Sequence, residues 1–148
     1  MIVDPVTAMS AIAAGLGLVD KFVDLVRKAR KGDERPYRVE AKQEGGALVI
    51  LRDGEVKERV QPDQLKLNEW DGPRFEALRA RVNSLWWQFN GLYAQLPNLS
   101  VDEQVRLQQR MNQMKQDLCR DFREMMNISE RVLGVPLEDH YTLYTTCS

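Results

Sequence analysis

The side chains of this chain that are best suited to nucleophilic chemistry are one histidine, His140, and two cysteines, Cys119 and Cys147. In a Cys–His pair the imidazole takes the thiol proton, and the resulting thiolate attacks an electrophile. Cys119 lies in a helical pattern and Cys147 is the penultimate residue, so nothing in their spacing brings either thiol within hydrogen-bond reach of a base. We therefore expect His140 to be a surface residue of the C-terminal segment, and we expect the chain not to be an enzyme.

Carboxylates are plentiful, but residues 115–124 are typical of their arrangement, with Asp and Glu interleaved with Arg and Lys at helical spacing. Such a pattern indicates a solvated helix face with ion pairs three or four residues apart. One histidine and two scattered cysteines do not have the spacing of a zinc site. Glycines 15 and 17, and glycines 45 and 46, do not form a phosphate-binding loop between a strand and a helix. The sequence predicts no catalytic residue, no metal site and no cofactor.

The charge and the cysteine content limit which binding partners and which cellular compartment are expected. The 21 basic and 22 acidic residues give a net charge of −1, which provides no global attraction to nucleic acid. Two cysteines without metal-type spacing are typical of free thiols in a reducing compartment, and a disulfide between them is the alternative. The N-terminus lacks the positively charged region of a secretory signal. We expect a cytoplasmic protein, and the sequence leaves peripheral membrane contact open.

The apolar patterns predict one α+β domain, mostly helical, over residues 1–148. Apolar residues three and four apart predict a helix at 5–31, with Asp4 as its N-cap and Pro5 in its first turn. Alternating residues and the turn Asp53-Gly54 predict a three-stranded antiparallel β-meander at 37–60.

The second half of the chain predicts a long antiparallel helical hairpin. A connector at 61–72 precedes the hairpin at 74–133, in which the first helix carries an unbroken heptad of the coiled-coil type. Ser100 and Glu103 form a capping box at the start of the second helix, which overhangs the first by about ten residues. We expect helix 5–31 or another protomer to cover that overhang. The tail at 134–148 alternates weakly, which indicates a short strand or disorder.

The N-terminal helix is unusually slim, because Pro5–Val19 contains no charged residue and many Ala and Gly residues. Small residues four apart allow two helices to approach closely, and Gly15 and Gly17 would otherwise destabilise the helix. Three interpretations follow: a helix buried in the core of its own chain, a helix that packs against another copy, or a helix that enters a membrane. The apolar residues that would carry an intermolecular contact are Met9, Ile12, Gly15, Leu16, Val19 and Phe22.

Two further features bear on partners. The helix ends in a basic cluster that would lie close to an anionic membrane: Arg27, Lys28, Arg30 and Lys31. In the hairpin, Trp86 and Trp87 are adjacent, so one of them must point away from the heptad stripe. Trp87 lies farther from that stripe, where it covers the sheet or the first helix, serves as an exposed aromatic anchor, or stacks on a nucleic-acid base.

The run from Asp4 to Val26, DPVTAMSAIAAGLGLVDKFVDLV, resembles the N-terminus of HeLo and HeLo-like domains. Those domains are helical bundles, and the resemblance implies action at a membrane through an exposed first helix. It covers about 25 of the 148 residues. The predicted β-meander departs from an all-helical bundle, so only the first helix carries the comparison. We expect a non-catalytic interaction protein that self-assembles or docks a helical partner, with a membrane effector and a small enzyme as the alternatives.

Overall fold

The structure is a computed structural model, and it describes residues 4–30 and 35–148. Its helices and strands are α1 (Pro5–Ala29), β1 (Val39–Glu44), β2 (Ala47–Arg52), β3 (Glu55–Val60), α2 (Gly72–Gln95), α3 (Val101–Leu133), α4 (Glu138–Tyr141) and α5 (Leu143–Thr146). The predicted α+β, mostly helical fold is confirmed. Lys31, predicted to belong to the basic cluster, lies outside the described residues.

Helix α1 is the central element of the core. Asp4 caps it by accepting a hydrogen bond from the amide of Val6 at 3.0 Å, as predicted. The ring of Phe22 packs on Phe122 of α3 and Phe89 of α2, with centroids 5.0 and 6.3 Å away. The helix therefore holds the helical hairpin against the rest of the domain.

This packing corrects the predicted intermolecular face of α1. Of the six residues named for it, five are at most 1% exposed and Gly15 is also buried. The set is Met9, Ile12, Gly15, Leu16, Val19 and Phe22. These residues pack inside their own chain and are not accessible to a partner, because the sheet, the hairpin and the tail together cover this stripe.

Strands β1, β2 and β3 form an antiparallel sheet in the order of the sequence. Asp53 and Gly54 have positive φ values of 50° and 82°, which are the values that the predicted type I′ turn requires. The carboxylate of Asp53 also accepts a hydrogen bond from the amide of Arg38 at 2.8 Å, and this bond fixes the segment that leads into β1.

Helices α2 and α3 form the predicted hairpin, and Ser100 with Glu103 forms the predicted capping box. The far end of α3 is covered by its own chain. The amide of Lys66, in the connector, donates a hydrogen bond to the carbonyl of Val132 at 2.8 Å. Gly134 ends α3 in the left-handed conformation with φ 73°. The overhang therefore needs no second protomer.

The tail is neither a strand nor disordered. It forms the short helices α4 and α5, and it buries Leu137, Tyr141 and Leu143 completely. Leu137 and Tyr141 are four residues apart, which is helical spacing and outweighs the weak alternation that indicated a strand.

The predicted free thiols are wrong, because Cys119 and Cys147 form a disulfide. The folded tail carries Cys147 back to the middle of α3, where the two Cα atoms are 5.9 Å apart. That distance is ordinary for a disulfide. The cysteines therefore no longer support the expectation of a reducing compartment.

Candidate functional site

The residues considered for nucleophilic chemistry do not come together. Both sulfur atoms are in the disulfide, and His140 is partly buried with its Nε2 atom 3.5 Å from a carboxylate oxygen of Glu58. The expectation that His140 is a free surface residue is therefore wrong. Among the described residues, no group of three or more His, Cys, Asp or Glu side chains could hold a metal ion.

Two members of the predicted membrane-proximal basic cluster contact the tail. Arg27 donates to the hydroxyls of Thr145 and Thr146 at 3.0 and 3.2 Å, and Arg30 donates to the carbonyl of Thr146 at 2.9 Å. Lys28 is exposed. Together with the disulfide, these contacts fix the C-terminal segment across the basic end of α1. We call this set of contacts the tail clamp.

The free end of the helical hairpin is the longest stretch of the described residues without a fully buried side chain, although Leu92, Tyr93, Leu96 and Leu107 are partly buried against the core. From residue 90 to residue 110 no side chain is buried, although Phe89 and Met111 on either side are. We call residues 90–110 the hairpin arm. Val101 is 76% exposed and Val105 is 54% exposed on its α3 side. These two side chains are one helical turn apart and lie on the same face of α3.

A second exposed apolar feature lies on α2, beginning just before the arm and continuing into it. Trp87 is 61% exposed, and Gly91 and Ala94 are exposed one and two turns farther along the helix. Residues at positions i, i+4 and i+7 share one helix face. We call these three residues the Trp87 stripe. A Cβ atom added at Gly91 would meet no side chain within 4 Å, so the space above it is open.

Trp86 holds the base of the stripe in place. Its ring packs edge-on against that of Trp87, with centroids 5.0 Å apart, and the ammonium of Lys21 on α1 lies 5.9 Å from its centroid. Trp86 is only partly exposed. Of the two tryptophans, Trp86 is therefore the one that packs toward the first helix, and Trp87 is the exposed one. Its service as an anchor stays a prediction.

A groove of about 590 Å³ lies between α1, α2 and the segment before β1. We call it the cationic groove, and its lining residues are Lys21, Asp24, Leu25, Arg27, Lys28, Arg35, Tyr37, Arg38 and Trp86. Five of these side chains are cationic and one is a carboxylate. Two of the cations, Arg27 and Lys28, belong to the basic cluster that the sequence singled out.

Arg35 is a buried cation of this groove, with 3% of its side chain exposed. Its Nη1 atom donates to the carboxylates of Asp20 at 2.6 Å and Asp24 at 3.1 Å, whereas its Nε and Nη2 atoms have no hydrogen-bond partner among the described residues. Burial raises the pKa of Asp20, although its hydrogen bond and ion pair with Arg35 act in the opposite direction.

Sequence reasoning missed both the arm and Arg35. The chain has no charged residue from Val82 to Val101, and this run was a readable signal for an exposed uncharged surface. Arg35 follows the basic cluster in sequence, but only the return of the chain toward β1 places it beside α1 and Trp86.

Among the described residues, one helix, Pro5–Ala29, is long and apolar enough to cross a membrane, and half of its most apolar window is buried inside the fold. A buried core helix meets the same criterion. Comparison with protein-family models, with curated proteins and with solved structures found no match for this chain.

Proposed function

We propose that this chain is a non-catalytic interaction protein that associates with a second copy of itself through the Trp87 stripe. The observation that carries the proposal is a large exposed indole one helical turn from an open glycine. Trp is enriched among the residues that dominate protein–protein binding energy. The self-association expected from the sequence is thus moved from the apolar face of α1, which is buried, to α2.

The stripe is complementary to itself. Trp87 and Gly91 are four residues apart, or about 6 Å along the helix axis. Two α2 helices can pair antiparallel about a two-fold axis that passes between them midway, along the helix, between Trp87 and Gly91. Each indole then lies over the glycine of the other copy. In a two-fold interface, a contact of residue i with residue j is repeated as a contact of j with i. One bulky residue and one gap therefore suffice for two identical contacts.

The charge pattern also favours a second copy. The uncharged run from Val82 to Val101 forms this side of α2 and the turn of the hairpin, so two copies meet without repulsion between like charges. An uncharged surface offers no attraction to the phosphates of a nucleic acid. It also lowers the cost of desolvation, because no ion loses its hydration shell.

The oligomeric state tests this proposal. Sedimentation equilibrium should give a dimer mass for the wild type at micromolar concentration, and it should give a monomer mass for Trp87→Ala and Gly91→Glu. The second variant leaves the fold intact, because Gly91 faces open space and Glu favours a helix more than Gly does. It nevertheless places a charged side chain in the gap that the indole of Trp87 of the other copy would occupy, which blocks the contact and desolvates a carboxylate.

Tyr144→Ala is the matched control, since it removes an exposed aromatic residue from the tail rather than from α2. It should leave the dimer unchanged. A wild type that stays monomeric, or a dimer that survives Gly91→Glu, would show that the Trp87 stripe is not a self-association surface.

The second candidate function is membrane insertion by α1. Its support is the length and apolar character of Pro5–Ala29, together with the resemblance of residues 4–26 to the first helix of HeLo-like domains. Insertion requires α1 to leave the core, and the tail clamp opposes this release. We expect Cys147→Ser, which removes one part of the clamp, to float with phosphatidylglycerol-containing vesicles more readily than the wild type. Recovery of both proteins in the bottom fraction would contradict this function.

A further inference from the structure

We propose that the cationic groove binds a phosphate monoester. This site is distinct from the Trp87 stripe, and it does not depend on self-association. The groove combines a cluster of positive charges, hydrogen-bond donors that have no acceptor among the described residues, and space for a small molecule.

The groove is strongly positive in a chain that is slightly negative overall. Among the described residues, its lining carries five cationic side chains against one carboxylate, and a second carboxylate, Asp20, pairs with Arg35, whereas the whole chain has a net charge of −1. Lys21, Lys28 and Arg38 at its rim are exposed. A concave surface lined by one sign of charge focuses the field and raises the local concentration of the opposite ion. The groove therefore attracts anions even though the protein as a whole does not.

Arg35, which lines the groove, carries two buried hydrogen-bond donors without an acceptor among the described residues. Only Nη1 is occupied, by Asp20 and Asp24, while Nε and Nη2 have no partner among the described residues. These two nitrogens form one edge of the guanidinium fork, the geometry that matches two oxygens of a phosphate. A buried donor without an acceptor is destabilising, so a ligand that accepts these bonds is favoured at this position.

Trp86 adds a third donor and part of an apolar wall. Its indole Nε1 is buried and has no hydrogen-bond partner among the described residues. Leu25 and Tyr37 continue the wall, and the volume of about 590 Å³ lies in the usual range for a small-molecule site. Arg35, in the segment before β1, and Trp86, on α2, thus both line the groove, and both carry buried N–H groups that have no partner among the described residues.

A phosphate monoester fits these donors better than a carboxylate. It carries a charge of about −1.5 to −2 at neutral pH and three terminal oxygens that accept hydrogen bonds. A carboxylate has two coplanar oxygens and a single charge, and Arg35 already holds two carboxylates through Nη1. Nε and Nη2 of Arg35 and Nε1 of Trp86 are buried in the unliganded protein, so binding requires the side chains that cover them to move aside.

The test uses the indole N–H signal of Trp86 in a ¹⁵N-labelled full-length chain, assigned with Trp86→Phe. Glycerol 3-phosphate, a free phosphate monoester, should shift this signal in a saturable manner, and succinate at equal ionic strength should not. Sedimentation with phosphatidylcholine vesicles, with and without phosphatidic acid, shows whether the same group on a lipid headgroup is bound. Binding of the free ester assigns the site to a small molecule, and binding of phosphatidic acid vesicles alone assigns it to a lipid.

Two double variants of equal charge provide the control. Lys21→Gln with Lys28→Gln removes the exposed rim of the groove and should weaken binding about tenfold, because two charge-assisted contacts are lost. Lys42→Gln with Lys57→Gln removes two sheet lysines and should leave binding unchanged. Arg35→Lys keeps the charge but loses the fork, and it should also weaken binding.

Three results would overturn the proposal. The first is the absence of both a shift with glycerol 3-phosphate and sedimentation with phosphatidic acid. The second is an equal response to succinate, which would show that phosphate is not selected. The third is an equal loss of affinity in the two double variants. Binding would then depend on the net charge of the protein and not on the cationic groove.

Discussion

Arg81 on α2 donates hydrogen bonds from Nε and Nη2 to the two carboxylate oxygens of Asp121 on α3, the first at 2.6 Å. Asp121 is 1% exposed, whereas Arg81 is half exposed. Burial by itself would raise the pKa of Asp121, but the hydrogen bond and the charge of Arg81, supported by Arg120, outweigh it and lower the pKa. This ion pair joins the two helices of the hairpin at a point where one partner has no access to water.

We expect Arg81→Gln to lower the free energy of unfolding at pH 7 by about 2–3 kcal/mol, because a buried carboxylate loses its main donor. The pH dependence should also change. In the wild type the pKa of Asp121 is lower in the folded state, so its contribution is present above about pH 4 and is lost as the pH falls further. In the variant, Arg81 no longer opposes the effect of burial, so the pKa of Asp121 in the folded state is higher than in the wild type. Acidification toward pH 4 then protonates this carboxyl and should restore part of the lost free energy of unfolding.

Urea unfolding at pH 7 and pH 4 measures both effects. Arg79→Gln is the matched control, because Arg79 pairs with Glu76 on the exposed side of the same helix. That substitution should change the free energy of unfolding by no more than about 0.5 kcal/mol. Equal effects of the two substitutions would show that the Asp121 pair contributes no more than a surface pair.

The disulfide between Cys119 and Cys147 closes a loop across a sequence separation of 28 residues. Constraining a loop of this size in the unfolded chain stabilises the folded state by about 3 kcal/mol. We expect Cys147→Ser to lower the free energy of unfolding by that amount, and we expect reductant to lower that of the wild type equally. Reductant should have no effect on the variant. Wild-type stability that does not respond to reductant would contradict the role of the disulfide, and non-reducing mass spectrometry shows directly whether the bond is present.

Local signals in the sequence predicted the boundaries of most elements. Asp4 before Pro5, the turn at Asp53-Gly54 and the Ser100–Glu103 capping box each work through backbone groups within a few residues. Such interactions depend little on the rest of the fold. For this reason the meander and both helices of the hairpin could be predicted from the sequence.

Local signals in the sequence could not predict which part of the chain, or which other molecule, covers each surface. An apolar stripe such as that of α1 must be buried, but periodicity does not say whether its own chain or another molecule buries it. The tail was missed because Leu137 and Tyr141 have a helical spacing over too few residues to form a recognisable pattern. Arg35 was missed because its role depends on Asp20, Asp24 and Trp86, which only tertiary packing brings near it.

The hydroxyl of Tyr141 is buried and has no hydrogen-bond partner among the described residues. Burial raises its pKa, so the phenol remains protonated across the physiological range. We expect Tyr141→Phe to leave the free energy of unfolding unchanged or to raise it by up to about 1 kcal/mol, because an unsatisfied polar group is removed. Tyr37→Phe should instead lower it by about 1 kcal/mol, since the Tyr37 hydroxyl donates to the carbonyl of Asp139 at 3.0 Å. Thermal unfolding of both variants tests this, and a clear loss for Tyr141→Phe would point to an acceptor for the Tyr141 hydroxyl.

Gly15 and Gly17 differ in what surrounds them: Gly15 is closely packed against other helices, and Gly17 faces open space. A Cβ atom at Gly15 would lie 2.8 Å from the methyl carbon of Met125 and 2.9 Å from the ring of Phe75, whereas one at Gly17 would meet nothing within 4 Å. Gly17→Ala should therefore raise the free energy of unfolding by about 0.5–1 kcal/mol through helix propensity alone. Gly15→Ala gains the same propensity but overpacks the core, a cost of about 1–3 kcal/mol, so we expect a net loss of stability.

Urea unfolding of the two variants measures this difference. We expect the free energy of unfolding to rise for Gly17→Ala and to fall for Gly15→Ala. The sequence explained the small residues of α1 by close approach to another helix, and Gly15 makes that approach to Phe75 of α2 and Met125 of α3 within one chain. If Gly15→Ala stabilised the protein as much as Gly17→Ala, the close packing of α1 on the hairpin would be wrong, and the burial of its apolar stripe in the core would lose its main support.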